Sequence, residues 1–239
     1  MIKPFHEVLE GLENTFRQLE ERVPPPVPVP YKDGVKLRYE ERTLEQALLQ
    51  KLARMISGLH AMALLLDAGF CQEMGVLQRT LDDLEEDIMF LSIGKISGEW
   101  TDRHDQYLEH FWSEDLDAGM VKRDKIRAYV NRAQGNDDPS GANDVGRALF
   151  KAYSGYVHAA SVNIVDMCAG EPPRYHLAGM RDNPLYPDHL DDAWNQFFRA
   201  LTSTVFIVKA FGDEQLVEER LEAKRHFETK YAHKVYPAG

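Results

Sequence analysis

The sequence has few of the features that identify an activity directly. Only two cysteines occur in 239 residues, Cys71 and Cys168, and neither has a second cysteine or a histidine at metal-binding spacing. No apolar run approaches the roughly 18 residues that cross a membrane. No phosphate-binding glycine loop, dinucleotide-binding glycine pattern or nucleophile elbow is present. We therefore expect a cytoplasmic protein with no membrane segment, no resident metal and no cofactor.

Positive charge is also scarce. The 28 lysines and arginines face 39 aspartates and glutamates, so the formal net charge is −11. A protein that holds nucleic acid by neutralising phosphates usually has a basic face, and a net negative field opposes that encounter. The composition argues against non-specific DNA or RNA binding and leaves room for a small local site.

Apolar residues recur at helical spacing along most of the chain, and no convincing alternation of strand type is visible. The pattern predicts an all-α fold, a multi-helix bundle of about eight helices around a long antiparallel helical hairpin. Thr43 and Gln46 have the spacing of a capping box that begins the first hairpin helix. Gly69 ends that helix, and the second runs to about Ile93. So short a connection makes the two helices antiparallel neighbours.

The first 40 residues differ from the rest in composition. An amphipathic helix over residues 4–22 is followed by a proline-rich stretch at 24–30, which must be extended because proline cannot continue a helix. This stretch is a spacer or a recognition motif for a proline-binding module. Asp33 and Gly34 then signal a turn. We predict two parts, an N-terminal helix with its proline-rich linker at 1–40 and a helical bundle domain at 41–239.

Two groups of polar residues are candidates for a binding site. Arg79, Asp83 and Glu86 share one face of the second hairpin helix, so a guanidinium could be held between two carboxylates. Ser154 and His158 share a face of a later helix, predicted from about Asn143 to Cys168. A histidine with an unperturbed pKa can transfer protons near neutral pH. A purely structural ion pair and a core histidine are the alternatives.

Three segments together resemble a known family: 64–73, 77–83 and 153–158. The Arg79–Asp83 spacing on one helix and the Ser154-x-x-x-His158 motif on a later one are similar to an uncharacterised bacterial family of all-helical proteins. That family is regarded as distantly related to HEPN (higher eukaryotes and prokaryotes nucleotide-binding) domains. The resemblance covers roughly residues 43–180.

The resemblance implies a helical protein that forms a homodimer and binds a small ligand or a protein partner near Arg79, Asp83 and His158. It also implies an alternative, because many HEPN proteins are metal-independent ribonucleases of toxin or phage-defence systems. In that case Arg79 would polarise a phosphate, His158 would be the general acid/base, and RNA would be the substrate. The sequence departs from the nuclease motif, since no arginine stands five to seven residues before His158. Arg103 and His110 have that spacing, in a charged helix with no other supporting feature.

Overall fold

The computed structural model describes residues 2–113, 120–133, 135 and 151–235, and the fold that it shows is helical. The helices are α1 (Lys3–Glu20), α2 (Leu44–Ala68), α3 (Cys71–Ser97), α4 (Asp102–Trp112), α5 (Arg123–Ala133), α6 (described over 151–157), α7 (Ser161–Val165), α8 (Tyr186–Ala210) and α9 (Glu214–Val235). Two antiparallel strand pairs complete the described part: β1 (Val27–Tyr31) with β2 (Gly34–Arg38), and β3 (Cys168–Ala169) with β4 (Arg174–Tyr175). The all-α prediction is confirmed.

The predicted hairpin is formed by α2 and α3. Thr43 Oγ1 accepts from the Gln46 amide while the Gln46 side chain accepts from the Thr43 amide, so the capping box is present at the start of α2. Gly69 ends α2 with φ +82°, the left-handed conformation that glycine adopts without strain. The second helix is longer than predicted: α3 continues through Gly94 to Ser97, and Gly98 is its C-cap.

The core lies where α8 packs against α3, α2, α1 and α9. Phe5 of α1 stacks on Phe197 of α8 with ring centroids 4.2 Å apart, and both side chains are fully buried. The apolar face of α1 is thus part of the bundle core. The division of the chain into 1–40 and 41–239 stays a prediction. No helix in the described ranges is long and apolar enough to cross a membrane.

One local prediction is confirmed and one is wrong. The proline-rich stretch is extended as predicted, since it enters β1, and the Asp33-Gly34 turn joins it to β2. The helix predicted over 143–168 lies partly outside the described residues, and within them it stops at 157. Ala159 has φ +49°, and the chain reverses so that Asn163 of α7 lies against Gly155 of α6. The missing side chain of Gly155 permits this contact, which a continuous helix would forbid.

Candidate functional site

Five carboxylates within six residues dominate the middle of α3. Asp82, Asp83, Glu85, Glu86 and Asp87 are separated only by Leu84, and we call them the α3 carboxylate cluster. At 100° per residue they point to different sides of the helix. Because α3 is enclosed by α2, α5 and α8, each side of the cluster meets a neighbouring helix rather than open solvent.

Arginines of α3 and α5 hold the side of the cluster that faces α5. Arg79 pairs with Asp83, with 2.5 Å between Nη1 and Oδ2. Arg123 donates from Nη1 to Asp87 Oδ1 at 2.5 Å, and its Nε lies 3.5 Å from Asp83 Oδ1. Its Nη1 also lies 3.9 Å from Glu86, to which Arg127 donates at 2.5 Å. The predicted residues Arg79, Asp83 and Glu86 are therefore joined in one network, with Arg123 as its centre.

Lys51 of α2 forms the most buried ion pair of the network. Its Nζ donates to Asp87 Oδ2 at 2.9 Å, and both side chains are about 6% exposed. Burial lowers the pKa of Lys51 despite this partner. Burial alone would raise the pKa of Asp87, but the positive charges of Lys51 and Arg123 and a hydrogen bond from Arg123 lower it below its usual value. Asp87 is therefore ionised at neutral pH.

Arg199 of α8 holds the opposite side of the cluster. Its Nη1 donates to Asp82 Oδ1 at 2.7 Å, and its Nη2 lies 2.7 Å from Glu85 Oε2. Gln196 also donates to Glu85, at 2.8 Å. Burial raises the pKa of Glu85 to about 8 although the nearby Arg199 charge opposes that shift. Glu85 is thus largely protonated at neutral pH and can donate a hydrogen bond.

Acidic and basic side chains of the network are equal in number. The five carboxyl groups contact five basic residues: Lys51, Arg79, Arg123, Arg127 and Arg199. A buried network adds little net stability, because desolvation offsets most of the Coulomb attraction, but removing one partner leaves a charge uncompensated. The network therefore fixes how α2, α5 and α8 dock on α3.

A cleft of about 290 Å³ opens beside the cluster, between α3, α5 and α8. Glu85, Glu86 and Arg199 contribute its charged groups, and apolar side chains contribute most of its wall. The remaining lining residues are Met89, Val130, Phe198, Thr202 and Ser203. Apolar walls with a few convergent polar groups are typical of small-molecule sites, and this volume lies near the lower end of their range.

The two halves of the predicted site take different positions. The imidazole of His158 is exposed, just beyond the last residue of α6, and the His158 amide donates to Ser154 O at 3.0 Å. Among the described residues, His158 has no side-chain bond to Arg79. The segment around His158 does pack on α3, but through Tyr156, whose ring lies against Gly75, and through Gln72, which donates to Asn163 O at 2.7 Å.

Tyr156 also belongs to a second polar layer between α6 and α8. Its ring centroid lies 6.1 Å from that of His189, an edge-to-face arrangement. Burial lowers the pKa of His189 and so favours the neutral imidazole. Asp192, one turn further along α8, has its pKa raised to about 6 by burial and by Asp188, Asp191 and Asp82. This layer therefore places ionisable groups of α8 against the Tyr156 segment, away from the α3 carboxylate cluster's contacts with α5.

A further histidine, His104 of α4, has a structural position. His104 is fully buried, accepts from the Thr101 amide at its Nδ1 and lies 3.2 Å from Phe90 O through its Nε2. Its ring stacks on Phe90, with 4.0 Å between centroids, and packs on Gly94, where a side chain would collide with it. Within the described ranges, no three His, Cys, Asp or Glu side chains are grouped so that they could hold a metal ion.

The residues that complete the network were not predicted from the sequence, above all Asp82, Glu85, Arg123 and Arg199. A signal was present: five carboxylates in six residues spread over more than half the circumference of a helix that must also be buried on several sides. Such residues need cations from neighbouring helices. No pattern in the sequence tells which of its 28 basic residues supply them.

Comparison with known proteins adds no relative, since no family model, curated protein or solved structure matches the chain.

Proposed function

We propose that the protein is a binding protein, and that the cleft beside Glu85 and Arg199 takes a small apolar molecule carrying one hydrogen-bond acceptor group. The observation that carries the proposal is the cleft itself, in which the Arg199 guanidinium and the buried Glu85 carboxyl lie below walls formed by apolar side chains of Met89, Val130 and Phe198. The site shares Glu86 with the predicted set and adjoins the Arg79–Asp83 pair through the network. It thus refines the predicted polar inter-helix site.

The acceptor character follows from the protonation states. At neutral pH, Glu85 donates through its hydroxyl group and Arg199 is a permanent donor. The Ser203 hydroxyl, also on the lining, adds a third donor. Three hydrogen-bond donors below apolar walls favour a ligand that carries a carbonyl or carboxylate group on a hydrocarbon chain. The apolar walls supply most of the binding free energy, and the donors fix the orientation.

Straight-chain monocarboxylates and alcohols of matched length test the ligand class. Ligand-observed NMR at pH 7 should detect binding that strengthens with chain length until the cleft is full, with the carboxylate preferred over the alcohol. Val130→Trp should abolish binding, because its indole would fill the cleft. Val157→Trp is the matched control, since Val157 is exposed on α6. Binding unaffected by Val130→Trp, or no binding by any member of the series, would refute the proposal.

The nuclease alternative, the distant HEPN relationship and the cytoplasmic location stay predictions. An exposed His158 with no bond to Arg79 gives the nuclease mechanism no support within one copy of the described chain. Incubation with single-stranded RNA without metal tests it. Cleavage that is lost in both Arg79→Ala and His158→Ala, with the fold retained, would favour the nuclease over the binding protein.

A further inference from the structure

The β1–β2 hairpin has one edge that cannot accept another strand. In its register Pro28 lies opposite Leu37 and Pro30 opposite Val35. A two-residue turn places Tyr31 and Gly34 in a hydrogen-bonded pair, so Pro28 and Pro30 fall at the positions that make no bonds to β2. Their nitrogens face the outer edge of β1 and carry no hydrogen. That edge lacks the donors that strand pairing requires.

The other edge of the hairpin has two free amide donors, and its Leu37 carbonyl keeps one lone pair beside the bond that it accepts from Arg38 Nη1 at 2.9 Å. By the same alternation, the amides of Val35 and Leu37 point away from β1, and neither donates to any residue in the described part of the chain. Their side chains are 68% and 60% exposed. Pro28 and Pro30, directly opposite, are exposed on the same face of the hairpin. An apolar edge strand with free donors is a template for another strand.

We propose that the open edge of β2 pairs with β2 of a second copy of this chain, forming a four-stranded antiparallel sheet across a two-fold axis. The proline positions support a second copy as the partner. Once two β2 strands pair, the only remaining edges are the two proline-blocked β1 strands, so assembly ends at a dimer. This inference is independent of the ligand cleft, which lies between other elements.

The register of the dimer follows from the outward amides. For both amides to bond, Val35 must lie opposite Leu37 of the second copy, which places Lys36 on the two-fold axis opposite its own equivalent. Two like charges oppose pairing there. However, Lys36 Nζ lies 3.3 Å from the Tyr31 ring centroid, so its charge is drawn toward its own β1 strand. Because the interface is small, we expect a dissociation constant of about micromolar or higher, so that the dimer dissociates on dilution.

Sedimentation equilibrium over a range of protein concentrations tests the association. The wild type should show a reversible monomer–dimer equilibrium with no larger species. Leu37→Pro removes an outward amide without removing a bond of the hairpin, so it should weaken dimerisation at least about tenfold. Leu37→Thr retains the amide and should weaken it less. A wild type that stays monomeric at its solubility limit would overturn the proposal.

Cross-linking tests the register itself and does not depend on a proline variant that folds. In a Cys168→Ser background, with Cys71 buried, Lys36→Cys should form a disulfide-linked dimer under mild oxidation, because the two copies of residue 36 face each other. Val35→Cys alone should form little, because its counterpart is residue 37. A mixture of the Val35→Cys and Leu37→Cys proteins should form a disulfide-linked dimer. Equal self-cross-linking at 35 and 36 would exclude this register.

Discussion

Removing the Arg199 guanidinium should destabilise the protein far more than removing an exposed arginine. Arg199→Met retains the length of the side chain but leaves Asp82 and Glu85 without their cation, and those carboxyls are 11% and 4% exposed. Breaking a buried pair costs about 3–5 kcal/mol. We expect a value near the lower limit, about 3 kcal/mol, because the already protonated Glu85 needs little compensation and Asp82 carries most of the penalty.

Urea unfolding followed by circular dichroism at 222 nm measures this cost, with Arg181→Met as the control. Arg181 pairs with Asp67 at 3.1 Å, but both side chains are about half exposed, so its removal should cost less than about 1 kcal/mol. The triple variant Arg199→Met, Asp82→Asn, Glu85→Gln removes the stranded charges and should recover most of the loss.

The pH dependence of the Arg199→Met penalty provides a second measurement on the same variant. Without the guanidinium, the pKa of Asp82 rises above its already raised value, so lowering the pH protonates this carboxyl and relieves the unpaired charge. The penalty should therefore be smaller at pH 5 than at pH 8. An Arg199→Met cost equal to that of Arg181→Met, or one that does not change with pH, would refute the assignment of a buried charge network.

Four further substitutions test separate features. Gln78 is fully buried and neither side-chain polar atom has a partner within the described structure, so Gln78→Met should stabilise the protein by about 1–2 kcal/mol in urea unfolding; a loss of stability would contradict this. Asp192→Asn should stabilise the protein by up to about 3 kcal/mol at pH 8 and have little effect at pH 4. The pKa of Asp192 is raised to about 6 in the folded state, so the ionised carboxyl costs stability as the pH rises from about 4 to 6. An equal gain at pH 4 and pH 8 would contradict this pKa. Lys32→Gly should stabilise by about 1 kcal/mol, since Lys32 has φ +51° in the β1–β2 turn, and an unchanged melting temperature would argue against strain there. Gly75→Ala should cost about 1–3 kcal/mol despite the better helix propensity of alanine, because its Cβ would lie 2.5 Å from the Tyr156 ring; a stabilised variant would show that the ring moves away freely.

The ion-pair network explains how an acidic protein encloses so many carboxyl groups. The formal net charge of −11 counts the whole chain, whereas every carboxyl group of the α3 carboxylate cluster has a basic side chain beside it. Four of its five cations are arginines, whose planar groups can reach two carboxylates at once, as Arg123 and Arg199 do. Substituting lysine at these positions would retain the charge and lose the second contact.

The helical class and the α2–α3 hairpin could be predicted from the sequence, because both depend on local signals. The capping box at Thr43 and Gln46, the left-handed glycine at 69 and the apolar periodicity each act within a few residues of the chain. The pairing of Arg79 with Asp83 is local in the same sense, since residues four apart on a helix are neighbours.

The contacts between residues of different helices depend on how the bundle packs and could not be predicted from the sequence. Arg199 and Asp82 are 117 residues apart in the sequence, and no local pattern predicts a contact between residues so far apart. Helix α6 also ends at residue 157, where Asn163 packs against Gly155 and the Tyr156 ring packs against Gly75. His158 follows this end of the helix and lies outside the packed core. Helix periodicity predicts which face of a helix is apolar, but the partner of each charged face is fixed by how the helices pack.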